Sequence, residues 1–378
     1  MYYSPLATKD LMNNAIAGSY YRQNNIFSKY LNEHKYVYSS DEVDGLFTRQ
    51  IYYEIIHSKA FQRLKKIHFL GAIDYLINPD GVKPNKRHTR YQHSLGVALL
   101  ALQYSKYNQF SVSDEILCVV AALLHDIGHA PLSHSMEPVL KEKFYLNHHT
   151  ASEKVVEGTT AIGKEINNIL LRWNIEPSMI LDIISGEGDA KFRDAFGLSI
   201  NIDTIEAILR SQTYIYPNHL SATPSAVLKA LIERNHDSRL LLDAFWNIKN
   251  EIYNKLINSK LGVLADYICQ SYMVNNLSKY GEDFYFRTED DLKHLEPNLF
   301  KTLKDLTTDG HITFLSSWNT IPCTKRTFYI NNDIPLDSPH GINDRYSQQK
   351  IKSIMCIREF KRNEGQTYSF GESFKLFK

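Results

Sequence analysis

A chain of 378 residues is long for a single core and fits about two domains or one large one. Hydrophobic residues make up 43% of it, enough for a globular core, and a formal net charge of +1 excludes a globally basic nucleic-acid footprint. No apolar run reaches membrane length, MYYSPLATKD lacks a signal-type h-region, and Cys118, Cys269, Cys323 and Cys356 form no CxxC, so no membrane partner and a reducing cytoplasm are expected.

Residues 1–46 are rich in Asn and Tyr, weakly periodic, and read as a surface segment. Residues 50–70 carry Ile51, Ile55, Ile56, Phe61, Leu64 and Ile67 at helical spacing. YLINPDGVKPNKRH, with Pro79, Gly81 and Pro84, reads as loop. A helix is expected from Gln92 to Tyr107. Another runs from Ser113 to His125, with Ser113 as N-cap and acids in its first turn. It stops near Gly128, and Pro131 blocks its continuation. Helices follow at about 150–158, 164–173, 177–185 and 203–213. Thr223 and Pro224 start the next, and 238–277 is helical with Leu241, Phe245, Ile248 and Ile252 on one stripe. After about 282, ITFLSSW, KRTFYIN and IKSIMCIREF read as strands. The fold class expected is mainly α, a helical bundle over 47–280 with a smaller C-terminal α+β portion over 281–378. No internal repeat is present.

The chemistry concentrates in ALLHDIGHAPLSH. His125 and Asp126 stand together at the end of an apolar helix, and His129 and His134 follow within nine positions. Imidazole and carboxylate suit a divalent metal with open coordination positions. Such a metal generates hydroxide and polarises a phosphoryl oxygen. His93 in RYQHSLGV and Asp203 in NIDTIEAIL stand on separate helices, which a bundle can converge on one interior point. A lone HD pair is common; the ordered set is far more specific.

The flanking residues resemble the HD-domain metal-dependent phosphohydrolases. SKAFQRLKKIHFLG is similar to the family's opening helix, and RHTRYQHSLGV, LLHDIGHAPLSHSMEP and NIDTIEAILRS to its three ligand segments. NEIYNKLINSKLGVLADYICQSYM is similar to a later helix pair. The nearest branch is the dNTP triphosphohydrolases that carry a sterile alpha motif in vertebrates, with their bacterial relatives. The similarity covers about residues 47–280, and no sterile alpha motif is expected ahead of it.

The resemblance implies that His93, His125, Asp126 and Asp203 hold a divalent metal ion (Mn, Fe, Ni, Zn or Mg). It implies that His129, His134 and His149 line the catalytic cleft, and that Arg90 contacts substrate phosphate. His129 is expected to be the general acid, kept protonated by Glu137 as its carboxylate partner. His148 reads as a surface neighbour. Phe69, Thr204, Ala207 and Ser211 depart from residues that read sugar, base and phosphate in that branch, while Glu206 keeps an acid. The departures touch specificity more than the metal.

The function expected is hydrolysis of a nucleotide, with dNTP cleavage to nucleoside and triphosphate the specific form. One alternative is a phosphodiesterase or nuclease on short single-stranded nucleic acid. It draws on Lys83, Lys86, Arg87 and Arg90 in KPNKRHTR and on the basic excess from Lys350 to Lys378. Another is a nucleotide-binding regulator without turnover, against which the retained His129 and His134 count. A homo-oligomer is expected from the 24 Tyr and 18 Phe available for an interface.

Overall fold

The computed structural model describes residues 46, 49–76, 87–216, 220–308, 320–338 and 340–356. Of the surface segment expected at 1–46 only Leu46 is described, and it is buried in the core; the loop residues 77–86, ITFLSSW and the basic tail beyond 356 lie outside the described residues.

The architecture is mainly α, as expected. Helices α1 (Gln50–His57) and α2 (Lys59–Arg63) open the described chain. The single helix expected over 50–70 breaks at Ser58, whose backbone is extended and whose hydroxyl caps α2 by accepting the Phe61 amide at 3.3 Å. The central helix α3 (Arg90–Tyr107) is apolar or buried around most of its circumference, so its neighbours enclose it. It packs on α4 (Val112–Leu124) and on α10 (Ile202–Ile215). Ser111, not Ser113, caps α4, accepting the Asp114 amide at 3.2 Å.

Between α4 and α10 come α5 (Ser133–Phe144), α6 (His148–Val156), α7 (Lys164–Arg172), α8 (Pro177–Ser185) and the unanticipated short α9 (Ala190–Phe196). Thr223 caps α11 (Pro224–Glu233) as its sequence indicates. The stretch expected to be continuous over 238–277 is α12 (His236–Ile252), a π-helical turn (Tyr253–Ile257) and α13 (Lys260–Asn276), which Ser259 caps. Gly262 begins that last helix so close to the preceding turn that a Cβ would lie 2.4 Å from the Leu256 carbonyl oxygen.

Helices α14 (Glu289–Leu295) and α15 (Pro297–Thr308) precede an antiparallel hairpin, β1 (Thr320–Ile330) and β2 (Tyr346–Cys356). Helix α16 (Gly341–Arg345) runs into β2. Arg326 stands directly opposite Lys350 in the register. The hairpin docks on α12. Arg345 forks onto Asp243 at 2.9 and 2.6 Å, and the Trp246 indole donates to the Tyr329 carbonyl at 3.0 Å. A planar guanidinium on a carboxylate fixes orientation as well as distance. No helix among the described residues is long and apolar enough to cross a membrane.

Candidate metal centre and histidine cleft

Thr89 starts the site. It forms a capping box with Gln92 and pairs with His68 in an isolated bridge. The Phe69 amide donates to the His88 carbonyl and the Arg90 amide to that of Ile67, both at 2.9 Å. The first turn of α3 is thereby pinned to residues 67–69. His93 is one turn further on and almost fully buried. His125 follows the last residue of α4, where the chain leaves the helix in α-helical conformation. Asp203 sits in the first turn of α10, which Asn201 caps.

These elements bring the four expected ligands together. His93 Nε2 is 3.3 Å from His125 Nε2, 3.0 Å from Asp203 Oδ1 and 3.5 Å from Asp126 Oδ2. His125 Nε2 is 3.7 Å from Asp203 Oδ1 and 3.6 Å from Asp126 Oδ1. Ligands about 2.1 Å from one ion are separated by roughly 3.0–3.4 Å, so the spacing fits a shared cation.

Proton placement strengthens the fit. His93 Nδ1 donates to Glu206 at 2.6 Å, and His125 Nδ1 to the Ala122 carbonyl at 2.8 Å. In the neutral rings both Nε2 atoms therefore carry lone pairs, and they face each other. Two acceptors cannot satisfy one another; a cation between them satisfies both. Burial disfavours charge on either ring, but the surrounding carboxylates outweigh it. Asp203 and Glu206 push His93 up, and Asp126 and Asp203 push His125 up to about 9. Against burial, His125 and Arg90 hold Asp126 well below the usual carboxylate range, and His125 and His93 do the same for Asp203.

A layer behind the ligands fixes them. Glu206 lies one turn after Asp203 on the same face of α10, so one helix supplies a candidate ligand and the carboxylate that holds the His93 ring. Arg210 neutralises Glu206 from the following turn. Gly96 lets α3 approach: a Cβ there would lie 2.2 Å from Glu206 Oε1. Arg90 is buried and spends three of its five donors on protein. It gives Nη1 to Asp126 at 2.7 Å, Nη2 to the Phe69 carbonyl at 2.9 Å and Nε to Ser133 at 3.2 Å.

A second cluster adjoins the first. His129, His134 and His148 lie with ligand-type atoms within 4.8 Å of one another. Glu137 does not meet His129, contrary to expectation. Helical geometry puts it one turn beyond His134, and it accepts from His134 Nδ1 and His148 Nδ1, each at 3.0 Å. His148, read as a surface neighbour, therefore belongs to the cleft. His129 is buried, and its Nε2 makes no hydrogen bond, although Asp126 Oδ1 is 3.2 Å away. Burial and the Arg90 guanidinium push its pKa well down, against the pull of Asp126. Its ring stacks on that of His148, centroids 4.6 Å apart and planes 8° from parallel. Imidazoles bind ions in their own plane, so two stacked rings do not aim at one ion. His134 is exposed to the cleft, and His149 lies against His148 at its rim.

Glu289 of α14, which the sequence did not single out, holds the turn between these histidines. It is buried and accepts from the His68 amide at 2.8 Å, the Leu132 amide at 3.1 Å, the His68 ring at 2.5 Å and the Tyr75 hydroxyl. Leu132 and Ser133 sit at φ of 57° and 46°, a left-handed turn that non-glycine residues adopt only when their surroundings impose it. No local sequence signal marks a carboxylate arriving from so far along the chain.

Residues 90–209 match the HD domain family. An uncharacterized Mycoplasma pneumoniae protein is 30% identical over 194 residues, 47% of this chain and 43% of its own length. The Bos taurus deoxynucleoside triphosphate triphosphohydrolase SAMHD1 is 34% identical over 156 residues, 37% of this chain and 25% of its own. The matches to the first of these relatives span about two fifths of the relatives' length. A crystal structure of a hypothetical Aquifex aeolicus protein superposes with a TM-score of 0.59 over 82% of this chain and 93% of its own, at 15% identity, and so shares the fold.

Proposed function

We propose, from the premise that residues 90–209 form an HD domain, that the protein is a divalent-metal-dependent phosphohydrolase acting on nucleotides. The observation that carries this reading is the approach of His93 Nε2 and His125 Nε2 to 3.3 Å, flanked by Asp126 and Asp203. These four residues would hold the ion. When bound, the ion supplies a Lewis acid for a phosphoryl oxygen and lowers the pKa of a water.

The chain's own residues supply the rest. Arg90 keeps Asp126 in place and retains two N–H groups for an anion. Glu137 fixes the Nδ1 proton of His134, which leaves His134 Nε2 directed away from it into an open cleft. We assign the proton for the leaving oxygen to His134. The protein packed around one side of the ring and the nearby Arg90 charge lower its pKa, and a phosphate docking on its open side would raise that pKa and load the ring. His129, without a hydrogen bond at Nε2 and 3.2 Å from Asp126, stands between the two clusters, where it orients or relays a proton. His149 lines the entrance.

The finer form of the proposal is cleavage of a dNTP to nucleoside and triphosphate, supported by the likeness to deoxynucleoside triphosphate triphosphohydrolases. The second reading, a phosphodiesterase on short single strands, draws support from the hairpin. β1 and β2 together carry Lys325, Arg326, Lys350 and Lys352 and no acid. The test is to incubate metal-reconstituted protein with dNTPs, NTPs and short oligonucleotides and identify products by mass. Nucleoside with triphosphate is the expected result. Nucleoside monophosphates from oligonucleotides favour the second reading, and no product from any panel overturns the enzyme.

A further inference from the structure

Helix α5 begins without a cap of its own. Its N-cap position is Leu132, which offers no side-chain acceptor, and Leu132 and Ser133 both sit in the left-handed region. A helix start that cannot be satisfied locally takes its partners from elsewhere. The Leu132 amide donates to Glu289 at 3.1 Å and the Ser133 hydroxyl to the His68 carbonyl at 2.8 Å, while the Gln270 side-chain amide donates to the Ser135 carbonyl at 3.1 Å. His134, the proposed proton donor, is the second residue of this helix. Wherever the outside groups put the first turn, they put the His134 ring.

One of these outside holds is chemically odd. Asp266, on α13, accepts from the Ser135 hydroxyl at 2.5 Å. That hydroxyl itself accepts the Ala72 amide at 2.9 Å, so its single proton is committed to Asp266. Among the described residues Asp266 has no other hydrogen bond and no cation within ion-pair distance. Burial pushes its carboxyl up to about 6, and Ser135 is the group that opposes the rise. A carboxylate with one donor and no counter-charge is a costly way to fill an interior, and packing alone does not call for it. Gly71 brings the third segment in: a Cβ there would lie 2.2 Å from the Leu132 carbonyl oxygen and 2.6 Å from Ser135 Oγ. Helix α13 packs both on α5 and on residues 71–75. Three segments therefore meet at one serine, the residue next to His134.

Glu137 fixes which way the His134 ring faces, through Nδ1. Where the ring stands in the cleft depends on the backbone beneath it. A proton donor has to lie within hydrogen-bond reach of the leaving oxygen, and small displacements are expensive in rate. We infer that Asp266 is a positioning residue for His134: through Ser135 it sets the first turn of α5 and with it the place of the proton donor. The inference rests on the phosphohydrolase reading and its assignment of His134. It makes α13, outside the residues matched to the HD domain, a builder of the same cleft.

The test uses the full-length, metal-reconstituted chain, with single-turnover rates on dNTPs and nuclear magnetic resonance of the histidine rings at fixed pH. Asp266→Ala and Ser135→Ala should each slow the chemical step by about 10–100-fold, with KM within about threefold and metal content unchanged. The double variant should be no slower than either single one, because all three break the same chain of contacts. Asp266→Asn, whose side-chain oxygen still accepts from Ser135, should recover most of the rate. The His134 ring signals, assigned from their loss in His134→Ala, should move in Asp266→Ala and stay in place in Asp266→Asn. If Asp266→Ala does not fold, Ser135→Ala set against Asp266→Asn carries the same comparison. Normal turnover in a folded Asp266→Ala overturns the inference, and so do losses that multiply in the double variant. Loss of metal overturns it too, since Asp266 would then support the ligand cluster. A His134 ring that moves, in a protein that turns over no nucleotide, keeps the positioning role and sinks the phosphohydrolase reading. Nucleotide turnover by the unaltered chain, with a His134 ring that Asp266→Ala leaves unmoved, does the reverse.

Discussion

Two histidine groups lie side by side in this molecule, and they are wired differently. In the first, His93 and His125 each give Nδ1 to a different fixed acceptor, Glu206 and the Ala122 carbonyl, so their Nε2 lone pairs meet. In the second, His134 and His148 give Nδ1 to one shared carboxylate, Glu137, and the His129 and His148 rings lie face to face. The residue types are alike. The groups behind the rings decide that one set converges on a point and the other lines a surface. Ligand identity in a sequence is therefore half of a metal site; the acceptor behind each ring is the other half.

The sharpest break of that comparison removes the carboxylate shared between the groups. Asp126→Ala should lose the metal and lower turnover by at least about 10³-fold, leaving buried Arg90 without its anion. Metal content by mass spectrometry beside rate decides it; full occupancy would mean the ligand carboxylate was chosen wrongly. Next in size come His134→Ala and His129→Ala. Each should keep its metal, and His134→Ala should lose about 10²–10⁴ in single-turnover rate. Loss of metal from either would move that histidine into the coordinating group.

Glu206→Gln probes the layer behind His93. It should weaken metal affinity by about 10–100-fold while the chain stays folded by circular dichroism. An unchanged affinity would show that His93 needs no orienting carboxylate. The smallest effect is graded with pH. His125, with its pKa pushed up to about 9, must give up a proton to bind a cation. Metal affinity should therefore rise about tenfold per pH unit from neutrality and level off near pH 9. The metal-free protein shows the opposite face of this linkage. Its stability from the charged ring is complete below the ordinary histidine value of 6.5 and is lost as pH rises through about 9. A flat calorimetric profile would contradict both.

The helices were legible where apolar spacing and caps agree, as at Thr223–Pro224 and along α4. They were less so where one serine overrides the pattern. Ser58 and Ser259 each split an apparently continuous helix, because a side-chain cap competes locally with propagation. The four proposed ligands stood in the sequence because each lies beside a cap or helix end that names its position. Glu206 could be suspected as the acid one turn from Asp203. His148 was passed over because successive residues of a helix point about 100° apart, which hides that Asn147 caps the helix and starts it at His148. Glu289 has no signal of this kind. Its meaning is tertiary: it is an acid with four donors brought from distant parts of the chain.

Glu289 also sets an order of events in synthesis. The strained turn at Leu132 and Ser133 takes its hydrogen bond from a carboxylate translated 155 residues after His134. At about 5–20 residues per second, roughly 8–30 s separate the two on the ribosome. Through that interval the nascent chain has its histidines but not the group that locks their turn. The histidine cleft of an unfinished polypeptide would thus lack the carboxylate that locks its turn until α14 has been made.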